Sequence, residues 1–242
     1  MAVAHDAASE SAVSTNAGTI TWNHAGGASA RGAIVYVLTI AASPLDTAVT
    51  YGGTAMTLIG SGADTDTEAA VVRCYYLDAV ATGTQPIVVT RTNSAVQMMG
   101  MAATVTAASA TQAYTAGMVT QGGNQQNTGS NTSATGTAAS GQVSVDDGSP
   151  GTNSVRYGAH YTGAATPVAA GANSTLLHNH DFTAFGWTMV RETTAGQGAR
   201  SVGVTTGTTD DQAGVYVAIR ETPAGPAKSV LTSQYQRRRR VS

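Results

Sequence analysis

"VTYGGTAMTLIG", residues 49–60, sets two adjacent glycines between short runs of β-branched, aromatic and aliphatic side chains. Glycine pairs of this kind serve either as a backbone cradle for a phosphate or as a tight turn between strands. A phosphate loop requires a helix start directly after the glycines, with a Lys-Ser or Lys-Thr pair. Here "TAMTLIG" follows, which is a strand pattern. Both central positions of a type I′ turn need positive φ, and glycine adopts it without a Cβ clash. Gly52-Gly53 is therefore read as a two-residue hairpin loop flanked by Tyr51 and Thr54.

Working outward, the same strand character recurs. "TITWNH" (19–24), "AIVYVLTI" (33–40), "TAVTY" (47–51), "EAAVVRCYYL" (68–77), "QPIVVTR" (85–91) and "VQMMGMAATVT" (96–106) are rich in Val, Ile, Thr and Tyr. Gly, Asn, Asp, Ser or Pro clusters separate them at the spacing of a sandwich or barrel. Further strands are read at 141–145, 154–162, 183–192, 199–206 and 213–221. Ala-rich pieces are interrupted by Thr, Ser and Gly, which favour strand or turn, so no long helix is expected. Between the halves, 121–140 has no aromatic and no large aliphatic residue and is read as a surface loop.

Composition narrows the class. The 242 residues can bury a substantial core as one large β-domain. Charged residues make up 11%, against about 25% in an average soluble domain. The surface must then be solvated by hydroxyls and backbone, which suits a particle component or secreted module better than a cytosolic enzyme. Cys74 is the single cysteine, so no internal disulfide is available, and its apolar run makes it a core residue. The start "MAVAHDAASE" lacks the basic and apolar regions of a signal peptide. Apolar runs are strand-sized, well below the roughly 18 residues of a membrane helix.

The net charge is −2, from 12 basic and 14 acidic residues. Arg237, Arg238, Arg239 and Arg240 supply four of the positive charges, leaving 8 against 14 elsewhere, a net of −6. A mildly acidic body with a basic tip is a poor nucleic-acid binder.

Taken in order, "TWNHAGG…AIVYVLTI…VTYGGTAMTLIGS…AVVRCYYL…TGTQPIVVT" resembles a family of jelly-roll domains common among tailed-phage structural proteins, over about 19–106 and more weakly over 183–221. The resemblance implies an antiparallel two-sheet jelly-roll sandwich in a virion protein, associated with the capsid or the minor tail, and transfers no catalytic residue. The domain is expected over 1–221, followed by an extended arm, 222–242.

His178 and His180 in "LLHNHDF" project to one side of a strand, but two alternating histidines are half of a metal site. Asp64, Asp66 and Glu68 alternate, yet Ala69 and Tyr75 stand where a calcium loop of the EF-hand kind needs Gly and Glu. No Gly-x-Ser-x-Gly elbow occurs. Neither a metal nor a cofactor is expected. Trp22 and Trp187 are assigned to the core, leaving Tyr157 and Tyr161 as the candidate glycan contacts.

The expectation is a non-enzymatic subunit, made in the host cytoplasm and displayed on the particle exterior, on tail, baseplate or capsid. Its partners would be other phage structural proteins and further copies of itself, with no membrane. The alternative is a carbohydrate-binding module that aids host adsorption through a surface glycan. In the arm, Pro223 and Pro226 disfavour helix and ladder. Val230, Leu231, Tyr235 and Arg237–Arg240 would make the attachment, since guanidinium groups pair with carboxylates.

Overall fold

The computed structural model describes residues 3–40, 47–63, 70–92, 97–107, 111–114, 119–120, 142–145, 154–163, 168–182, 185–198, 200–206 and 212–221. All regular structure among them is β. The first half carries β1 (Ala4–Glu10), β2 (Ser14–Thr15), β3 (Thr19–Gly26), β4 (Ala30–Ile40), β5 (Thr47–Tyr51), β6 (Thr54–Ala55), β7 (Thr57–Ala63), β8 (Ala70–Asp78), β9 (Gly83–Arg91) and β10 (Gln97–Thr106). The second carries β11 (Thr111–Tyr114), β12 (Val119–Thr120), β13 (Gln142–Val145), β14 (Ser154–Thr162), β15 (Val168–Ala170), β16 (Ser174–Asp181), β17 (Gly186–Glu192), β18 (Arg200–Thr206) and β19 (Gln212–Glu221).

Among the described residues the expectation of two sheets gives way to four, all antiparallel. A first inner sheet runs β1-β10-β4-β8-β7, with β2 also on β10, and a first outer sheet runs β3-β9-β5-β6. A second inner sheet runs β11-β19-β14-β17-β16, and a second outer sheet β12-β13-β18-β15. Among the described residues no ladder joins a strand before 107 to one after 111.

Burial shows how the sheets stack. Ile20, Trp22, Val49, Tyr51, Ile87 and Val89 of the first outer sheet pack with Val35, Val37 and Ala102 of the first inner sheet. The other face of that inner sheet, with Ile34, Tyr36, Leu38, Val72 and Met101, belongs to a second cluster with Tyr157, Tyr161, Trp187, Val215 and Val217. The central strands of the first inner sheet are therefore covered on both faces. This explains why β4, "ARGAIVYVLTI", is buried along nearly its whole length. On the outer sheet, β3 alternates instead, with Thr19, Thr21, Asn23 and Ala25 outward.

The opening hairpin has the turn its glycines require. Tyr51 pairs with Thr54, and Gly52 and Gly53 have φ of 54° and 82°. "TAMTLIG" is not one strand, however. It breaks at buried Met56, whose N–H donates to the Val49 carbonyl at 2.9 Å, and the chain crosses from the outer to the inner sheet there.

The second half repeats the first. Replacing β1, β10, β4, β8 and β7 by β11, β19, β14, β17 and β16 turns one inner sheet into the other. β18 is flanked by β13 and β15 as β9 is by β3 and β5. The correspondence extends to a defect. The β7–β8 register shifts between Leu58 and Gly60, and the β16–β17 register between Leu176 and His178. The local sequences are "TLIG" (57–60) and "TLLH" (175–178).

Candidate functional site

β1 lies where the two halves meet. A register irregularity between His5 and Ala7 inserts an extra residue in the strand. Side chains before and after it can then serve both neighbours, as β-bulges commonly arrange. His5 and Glu10 reach the second inner sheet, while Asp6 and Ser9 reach β3 and its connection to β4.

The Glu10 contact is the most chemical of these. Its Oε2 accepts from His178 Nδ1 at 2.9 Å and from His180 Nε2 at 2.6 Å. The bulge after Leu176 and the period-two alternation of β16 present both imidazoles to the same carboxylate. The ring of Phe182 stacks on His180 at 5.7 Å. Burial lowers the pKa of His178, an effect opposed by the Glu10 carboxylate. A single carboxylate oxygen thus serves as acceptor for both imidazoles. Among the described residues no group of three or more ligating side chains could hold a metal ion.

A second chain of bonds runs through His24. Trp22 Nε1 donates to Ser9 Oγ at 3.0 Å, and Ser9 Oγ lies 2.7 Å from His24 Nδ1. His24 Nε2 lies 3.1 Å from Thr104 Oγ1, which donates to Asp6 Oδ2 at 2.8 Å. Because Thr104 gives its proton to Asp6, it accepts from His24, and Nδ1 is left to accept from Ser9. The Gly27 N–H adds a 2.7 Å bond to the same Asp6 oxygen. A serine beside an imidazole suggests a nucleophile. Here, however, burial brings His24 down to about 4, which makes it a weak base, and no carboxylate touches its ring directly. The chain is a satisfied polar network, which gains from mutual polarisation.

The outer face of the second inner sheet holds a buried ion pair. Arg156 Nη1 donates to Glu192 Oε2 at 2.8 Å, with both side chains fully buried. Arg200 Nε donates to the other carboxylate oxygen. Arg156 also donates to the carbonyls of Gly196 and Gly198. Every strong donor and acceptor is matched, as a buried charge requires.

Tyr157 and Tyr161 are corrected as glycan contacts. Both rings are fully buried between the inner sheets, so neither presents a face to a sugar. Their alternation on β14 signals a core strand because β14 is central in its sheet. Trp22 and Trp187 are buried as expected of core residues. The arm residues Val230, Leu231, Tyr235 and Arg237–Arg240 lie outside the described residues, as do Asp64, Asp66, Glu68 and the 121–140 loop. Sequence reasoning missed Glu10. It is 170 residues from His180, and "AHDAASE" has no spacing that marks a partner.

No protein-family model, curated protein or solved structure matches the chain.

Proposed function

We propose that this chain is a non-enzymatic structural subunit on the exterior of a tailed-phage particle, associated with tail, baseplate or capsid. The observation that carries the reading is the strand order of the first half. Eight strands divided between two four-stranded sheets by Greek-key connections make a jelly roll. The orders β1-β10-β4-β8-β7, with β2 also on β10, and β3-β9-β5-β6 contain two such four-strand sets, with β7 and β2 as additions to the inner sheet, and support that finer assignment over the segment whose sequence resembles the phage domains. The repeated order after residue 111 supports a second sandwich of the same kind.

The exposed side of the first outer sheet adds to this. Thr19, Thr21, Asn23 and Ala25 of β3, Thr84, Pro86 and Thr90 of β9, and Ala48 of β5 point outward without one charge. Such a face packs beside neighbouring subunits with no like-charge repulsion, in keeping with partners that are other virion proteins and further copies. The arm 222–242 would supply attachment. The carbohydrate-binding alternative has lost its aromatic contacts, Tyr157 and Tyr161.

The test uses antibody raised against the full chain, with immunogold labelling of purified particles and quantification of copies per particle. Regular labelling at a symmetric copy number is expected. Absence from purified particles, with the protein free in the lysate, would overturn the reading.

A further inference from the structure

Four of the five histidines in the chain meet on the ties of one strand. Among the described residues β1 is an edge strand, hydrogen-bonded only to β10, and all of its side chains are half-buried or exposed. Few apolar contacts hold it, which places it at the low-stability end of the fold. Its tertiary ties are polar. His5 Nδ1 meets the Tyr157 hydroxyl at 3.0 Å. Ser9 meets His24. Glu10 meets His178 and His180. Only Asp6, bonded to Gly27 and Thr104, engages without touching an imidazole.

We propose that β1 is an acid-released strap, closed across both halves while its imidazoles are neutral and detached when they take up protons.

Geometry supplies the reason at each tie. His24 accepts at Nδ1 from Ser9, so a proton there reverses that bond: Trp22 and His24 both donate to Ser9 Oγ, and the Ser9 O–H loses its acceptor. His178 Nε2 is buried with no hydrogen-bond partner, so the imidazolium would strand an N–H inside the seam. His5 sits near the Arg191 guanidinium of β17, which disfavours a second positive charge. Opposing these are the carboxylates of Asp6 and Glu10. His180 is about one-third exposed and lies against Glu10, while Asp181 beside it faces solvent.

The direction of the linkage follows. In the closed state His5 and His24 are each lowered from 6.5 to about 4, by burial first. The released strand therefore binds protons that the closed one does not. Closure has its full stability above pH about 6.5 and loses it progressively as pH falls toward 4.

Hydrogen–deuterium exchange of the full chain at pH 7 and pH 5, corrected for intrinsic rates, tests this. The β1 amides should exchange about tenfold faster or more at pH 5, with β14 and β19 still protected. His5→Gln with His178→Gln should shrink that pH 7 to pH 5 ratio. Glu10→Gln should accelerate β1 exchange already at pH 7. Equal β1 protection at both pH values would overturn the proposal. So would simultaneous loss at β1 and β14, which is global acid unfolding, or an unchanged ratio in the double variant.

Discussion

The indole of Trp22 occupies the space that a side chain at Gly100 would fill: a Cβ built there would stand 2.4 Å from its Cη2 atom. Trp22 comes from the first outer sheet and Gly100 from the inner sheet beneath, so the missing side chain sets how closely the two layers approach. In the second half, a Cβ at Gly158 would stand 2.2 Å from the ring of Tyr216, its directly paired partner on β19, so there the missing side chain admits a cross-strand neighbour within one sheet.

Gly100→Ala should therefore destabilise by about 1–3 kcal/mol through overpacking, and Gly158→Ala by a similar amount. Gly18→Ala is the control, because nothing lies within 4 Å of a Cβ there. Urea unfolding followed by Trp fluorescence measures all three. Equal midpoints would contradict the packing argument.

At the β5–β6 turn, Gly53 has open space but φ of 82°, whereas Gly52 combines φ of 54° with a Cβ position 2.7 Å from Gln85 Oε1. Gly53→Val should cost about 1–3 kcal/mol from backbone strain alone. The Val-Val variant should cost more, read as a lowered thermal midpoint.

For the buried pair, Glu192→Leu alone leaves Arg156 charged and uncompensated, and should destabilise by about 3–5 kcal/mol. Arg156→Leu combined with Glu192→Leu should cost less than the two single changes added together, because the fully buried charge is gone and the remaining Arg200, about one-third exposed, can be solvated. A double-mutant cycle in urea reads the coupling directly.

Cys74 is fully buried on β8, and burial raises its thiol well above the ordinary range. An aromatic disulfide reagent at pH 8 should leave it unmodified in native protein and react rapidly once denaturant is added. Labelling without unfolding would mean that the inner sheets separate readily.

Much of the fold was legible because β-branched residues and turn chemistry are local. The 47–51 and 154–162 strands and the Gly52-Gly53 turn were readable residue by residue. β1 was not, since "AHDAASE" holds no β-branched or aromatic residue and becomes a strand only by pairing with β10. The number of layers was also hidden. A run such as "AIVYVLTI" reports burial on both faces but not what covers each. The site fared similarly: His178 and His180 were visible as a pair on one strand face, while Glu10 reaches them only through the stacking of the two halves.

The repeated strand order has a consequence for how copies of the chain treat one another during synthesis. Positions equivalent by register are filled with unequal sizes. Tyr36 of β4 corresponds to Ala159 of β14 and Cys74 of β8 to Met189 of β17, while Val72 corresponds to Trp187. Seam volume is thus fitted to unlike halves. Two first halves from different chains, brought face to face, would repeat the same large and small groups and leave overlaps or voids, each destabilising. Like-with-like pairing of halves between nascent copies is therefore disfavoured by shape alone, and each first half is directed to a second half.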